Sequence, residues 1–148
     1  MELLVVMTII AILMGILLPV GHQVNKQTRK TMALKTGTEL RSAMMNYYSE
    51  YKRFPTDDVL KSTSSSGSGD IEVITDGSSG LVAGLIAVPD NETARTINPR
   101  RILFFTTRKA KTQKSAGVWQ DGDDIRLNDP WGNAYRVLWD ANYDNVIQ

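Results

Sequence analysis

The chain contains no cysteine and a single histidine. Without cysteine it has no disulfide framework, no thiolate metal site and no cysteine nucleophile. With His22 alone, two-histidine metal sites and histidine-pair catalysis are excluded as well. No side chain between Glu2 and Lys26 is charged, and no proline stands between Val20 and Phe54. A net charge of +1 gives no overall excess with which to hold nucleic acid.

What fills the uncharged stretch is apolar. Leu3 to Val20 spans 18 residues broken only by Thr8, Gly15 and Pro19. At about 1.5 Å per residue this is roughly 27 Å of helix, close to the hydrocarbon thickness of a bilayer. A cleaved secretory signal needs a basic lead, a shorter apolar core and a small-residue cleavage site. Here the preceding residue is acidic, and Gly21-His22-Gln23-Val24-Asn25 follows, so a retained membrane segment is the better reading.

Helical periodicity continues past the run. Leu34, Leu40, Met44, Tyr47 or Tyr48, and Tyr51 recur at helical steps, with charges from Lys26 to Glu50 mostly between them. One helix from Glu2 to Tyr51 is expected, bent at Pro19 and ended by Phe54-Pro55. A short helix from Thr56 to Lys61, a flexible Ser62–Gly69 loop and a helix over Leu81–Val88 capped by Ser78 or Ser79 come next. Strands are expected over Ile102–Thr107, Ile125–Leu127 and Ala134–Trp139, the last two flanking a turn at 128–133. An antiparallel sheet laid across the amphipathic half of the helix makes the fold α+β. Residues 1–23 then form the membrane-spanning helix, 24–54 its amphipathic continuation and 55–148 a globular head.

ELLVVMTIIAILMGILLPV resembles the processed N-terminal helix of the type IV pilin and pseudopilin superfamily, with Glu2 at its head and Pro19 toward its end. SAMMNYYSEYKRFPT and DPWGNAYRVLWDANYDN resemble the helix exit and C-terminal sheet of the major pseudopilin of type II secretion. The resemblance implies a filament subunit and not an enzyme. It would be anchored in the bacterial cytoplasmic membrane with its head on the periplasmic side. Its partners would be copies of itself, other pilin-like subunits and, for the precursor, a prepilin peptidase. A type IV pilus subunit is the second reading; a membrane-anchored periplasmic domain that does not polymerise is the third. The family's leader and processing glycine have no counterpart before Met1, and its C-terminal calcium loop has none here, so the chain is expected to be a fragment. Lys26, Arg29 and Lys30 after the span would by themselves place the head in the cytoplasm; the resemblance places it outside.

Glu2 has two readings. An acid in a first helical turn favours the macrodipole and needs no other reason. A carboxylate at the hydrocarbon edge instead needs a partner, and the resemblance supplies the processed N-terminal amine of a neighbouring subunit. Such a pair would set register, as a lone polar residue does in a coiled coil.

Arg95, Arg100, Arg101, Arg108, Lys109, Lys111 and Lys114 form a run without an acid, whereas Asp121, Asp123, Asp124, Asp129, Asp140 and Asp144 make the C-terminal part acidic. These are either solvated loops or complementary patches between neighbouring subunits. DNA binding by the run is not expected, since no stacking aromatics interleave it. Asp140, Asn142 and Asp144 have the spacing that opens a calcium loop, but Asn145 replaces the usual glycine, which favours a hairpin turn. Calcium is the one cofactor the sequence suggests. Trp119, Trp131 and Trp139 are read as core or sheet-face aromatics, and Asn91-Glu92-Thr93 as a chance glycosylation match. No catalytic set emerges.

Overall fold

A computed structural model describes residues 2–55 and 70–140, without the side chains of 16–22, 70, 71, 139 and 140. The architecture is α+β, with a long N-terminal helix, two short helices and two small antiparallel sheets. The expected helix over 56–61, the loop over 62–69 and the turn after Asp140 lie outside the described residues.

Helix α1 runs Glu2–Tyr51, the bounds its periodicity and flanks indicate. Its 50 residues make it about 75 Å long. The helix is continuous across Pro19. It stops before Phe54-Pro55 because Lys52 turns into the left-handed region (φ 55). There the Lys52 N–H still reaches the Tyr48 carbonyl at 2.8 Å. The rings of Tyr48 and Phe54 meet across this cap, 5.0 Å between centroids, fastening the chain as it leaves.

Among the described side chains of α1, only those in its last third are covered by the head. Leu40, Ala43, Met44 and Tyr47 are buried and Tyr51 is half-buried, a stripe at three- and four-residue steps. Leu34, expected on that face, is instead 65% exposed. Among the described residues, no helix is long and apolar enough to cross a membrane. The expected span lies only partly within them, since the side chains of 16–22 are not described.

The head packs on α1 through helices, not through a sheet. Helix α2 (Leu81–Leu85) is buried along its whole length, entered through Gly80 at φ 62. It is shorter than expected because Ala87, also left-handed, turns the chain before Pro89. Helix α3 (Glu92–Ile97), not anticipated, starts at Asn91, whose side chain accepts the Ala94 N–H at 2.7 Å. That cap explains the Asn-Glu-Thr triplet. The two helices meet where Gly84 faces Ile97; a Cβ there would fall 2.5 Å from the isoleucine Cγ2. Tyr47 donates to the Ile97 carbonyl at 2.5 Å, and burial pushes its hydroxyl pKa up, outweighing nearby Arg53. Tyr51 donates to Asn98 Oδ1 at 2.7 Å.

The strands are β1 (Asp70–Ile74), β2 (Gly117–Asp121), β3 (Asp124–Asn128) and β4 (Arg136–Asp140). They pair as two antiparallel hairpin-like sheets, β1 with β4 and β2 with β3, and not as one. Thr75 links them: its N–H and Oγ1 bond to Tyr135 backbone at 3.0 and 2.8 Å, and its Oγ1 and C=O bond to Leu127 at 2.8 and 2.9 Å. The segment 102–107, expected as a strand, is extended but joins neither sheet. Phe104 and Phe105 both donate to the Leu85 carbonyl instead.

Asn98, 1% exposed, holds this junction: its amide donates to the carbonyls of Gly84 (2.9 Å) and Ile102 (2.7 Å), and its oxygen also accepts the Ile102 N–H. Asn98→Ala orphans several buried groups and should lower stability by roughly 2–4 kcal/mol in urea melts. Asn98→Asp, which sets a carboxylate oxygen against the Gly84 and Ile102 carbonyls in a buried site, should cost at least as much.

Candidate functional site

Two surfaces carry the sequence's candidates, the uncovered stretch of α1 and the charged loops of the head. Every described side chain from Glu2 to Gly15 and from Gln23 to Met32 is exposed. Between Leu3 and Met14 ten large apolar side chains stand 48% to 73% exposed, around the whole circumference and not along one stripe. Each is worth about 1.5–3 kcal/mol when buried, so this surface demands a cover that the described head does not give. Glu2 lies in the first turn, where four backbone N–H groups lack helical acceptors and a negative charge is favourable. Thr8 spends its hydroxyl on the Leu4 carbonyl at 2.8 Å and so presents no free polar group.

Several of the charged residues find partners within the chain. Arg100 pairs with Glu50 at the end of α1 and its backbone N–H donates to the Tyr51 hydroxyl. Asp124 is held by Arg126 of its own strand through bonds of 2.7 and 2.8 Å. Asp123 accepts from the Asn91 amide at 3.0 Å, tying the β2–β3 turn to the α3 cap. Arg108 contributes its carbonyl to Val118 N–H, and its side chain borders a cleft against α1 with Lys35, Glu39 and Tyr135. Arg101, Lys109, Lys111 and Asp121 are exposed and have no ion-pair partner among the described residues. Part of the alternation read from sequence therefore closes within the chain.

Arg126 also influences a residue that sequence reading passed over. Burial alone would raise the Asp76 carboxyl, but Ser78 donates to it through Oγ (2.6 Å) and N–H (3.0 Å), and with the Arg126 charge these hold it below its ordinary value. The signal was available as Asp-Gly-Ser-Ser, an Asx-turn composition.

No group of three or more histidine, cysteine or acidic residues suited to a metal occurs among the described residues. Asn142 and Asp144 lie outside them, as does the Asp140 side chain. Trp119 is half-buried on β2, Trp131 is half exposed, and the Trp139 side chain is not described.

No protein-family model, curated protein or solved structure matches this chain.

A carboxyl depressed on folding stabilises the fold above the ordinary carboxylate range, about 4, and that contribution is lost as pH falls through the folded value. Ser78→Ala should therefore raise the Asp76 titration seen by NMR and make stability below pH of about 4 less steeply dependent on acid.

Proposed function

We propose that this chain is a pilin-like structural subunit, a type II secretion pseudopilin, that polymerises through its N-terminal helix to drive protein export. The uncovered apolar length of α1 carries the reading. A helix that is greasy all round suits two successive environments, lipid before assembly and the helices of neighbouring copies after it. Among the described side chains of α1 those the head covers begin at Ala33, and those of residues 2–15 and 23–32 stay exposed.

On this reading the chain sits in the bacterial cytoplasmic membrane with the head on the periplasmic side. Glu2 meets the processed N-terminal amine of the next subunit, which sets the axial register of the helices. Uncharged carboxyl variants keep the apolar surface that favours lipid and lose the contact that fixes assembly.

Two experiments test this. In the full-length precursor, Glu2→Gln should insert into membranes as the parent does but yield no filaments by electron microscopy; normal filaments would overturn the role of Glu2. Cysteines introduced at Leu13 and Leu17, in a chain with none of its own, should crosslink into a ladder of oligomers. Monomer alone would leave a membrane-anchored domain that does not polymerise.

A further inference from the structure

From Gln23 to Thr38 helix α1 carries Lys26, Arg29, Lys30 and Lys35 and no acid. Lys35 pairs with Glu39, one turn on, at 3.6 Å. Lys26, Arg29 and Lys30 are exposed and have no ion-pair partner among the described residues. The neighbouring hydroxyls of Thr28 and Thr31 are spent on the Val24 and Gln27 carbonyls. Steps of three and four residues place the three cations on one side of the helix, within about 6 Å of its length.

What lies above and below them along α1 defines their setting. Toward the C-terminus, the row from Lys26 and Lys30 continues through half-buried Ala33 and Gly37 to buried Leu40 and Met44. The cations therefore stand on the side of α1 that the head covers, directly before the cover begins. The head brings no excess of acid to that edge. Tyr135, whose hydroxyl approaches the Ala33 carbonyl, lies under the charges of Asp129 and Arg108, one of each sign. The Asp129 carboxylate is already engaged by the Trp131 and Asn133 N–H groups. Toward the N-terminus stand exposed Val24 and the ten exposed apolar side chains from Leu3 to Met14. Glu2, the next charge, is about 36 Å away along the helix. An uncharged length of that size exceeds a hydrocarbon core of roughly 30 Å by about one headgroup layer, which is also the depth of the cation cluster.

We propose that Lys26, Arg29 and Lys30 form a binding face for the headgroups of acidic phospholipids, beneath the head. This site rests on the reading of α1 as a membrane helix and does not require that the chain polymerise. A zwitterionic headgroup brings a cation of its own. Only a lipid of net negative charge neutralises a face with three cations and no acid, and each such cation favours an anionic surface by roughly fivefold.

The test reconstitutes the full chain in vesicles of phosphatidylcholine, alone or with equimolar phosphatidylglycerol. Electron paramagnetic resonance of spin-labelled lipids compares how strongly each is held at the protein. Phosphatidylglycerol should be held roughly fivefold more strongly than phosphatidylcholine, less so at high salt. The triple variant Lys26→Gln, Arg29→Gln, Lys30→Gln should hold both alike. Lys35→Gln, outside these rows and paired with Glu39, should keep the preference. Resistance to alkaline extraction from the neutral vesicles reads insertion separately. Insertion without a lipid preference, a preference that survives in the triple variant, or one lost equally in Lys35→Gln would each overturn the site alone. Extraction of the parent chain by alkali would overturn the membrane reading and the site with it. Crosslinked oligomers lost in the triple variant, with no lipid preference in the parent, would assign the cations to acids of a second copy and overturn the site.

Discussion

Among the described side chains of a helix of 50 residues the head covers only those of the last third, and the rest of the structure follows from that limit. The stripe from Leu40 to Tyr51 is the part of α1 with an intramolecular cover, and α2, α3 and the turn after them are arranged to meet it. Tyr47 and Tyr51 do more than bury area. Their hydroxyls reach Ile97 and Asn98, so the last turns of α1 and the C-terminus of α3 share one hydrogen-bonded junction. Phe104 closes the same junction with rings 5.3 Å from Tyr47 and 6.1 Å from Tyr51. The helix end thus acts as a core element of the head, while its start has no neighbour there.

This arrangement explains why the sheets are small and set apart from α1. A head whose core is supplied largely by helices has little need of a wide sheet to cover the long one. Tyr135, at the entry to β4, is the link back: it lies beside Thr36 and its hydroxyl comes within 3.4 Å of the Ala33 carbonyl. Burial there pushes the Tyr135 phenol up, with the Thr36 hydrogen bond opposing it. Thr75 does the corresponding work between the sheets, a residue with 0% exposure whose single hydroxyl serves both Leu127 and Tyr135.

The features legible in the sequence were those set by near neighbours along the chain. The bounds of α1 follow from a periodic pattern with no proline until Phe54-Pro55, and the expected strands over Ile125–Leu127 and Ala134–Trp139 from local composition and alternation, the second beginning two residues later as β4. Features set by distant partners were not legible. Ile102–Thr107 has the composition of a strand, but Asn98 and the Leu85 carbonyl take its hydrogen bonds, and nothing local announces that. Asp70–Ile74 does alternate, with Ile71 and Val73 opposite Trp139 and Val137, so β1 was available to a closer reading. Arg100 looked like part of a basic run because its partner, Glu50, lies fifty residues earlier.

The same distinction bears on the charged surface. Along the sequence the basic run and the acidic stretch read as solvated loops or as complementary patches between neighbouring subunits; in the fold Arg100 and Asp124 each have an ion-pair partner within the chain. Exposed pairs of this kind are worth at most about 1 kcal/mol, so they do little for stability. Their larger effect is to remove charges from the set a partner can meet. What remains is mixed: Arg101, Lys109 and Lys111 are exposed without an ion pair among the described residues, and so are Asp121 and Asp123 at the β2–β3 turn. The head's unpaired charges thus lie at the surface with both signs present, whereas the described apolar side chains at the start of α1 have no cover within the chain.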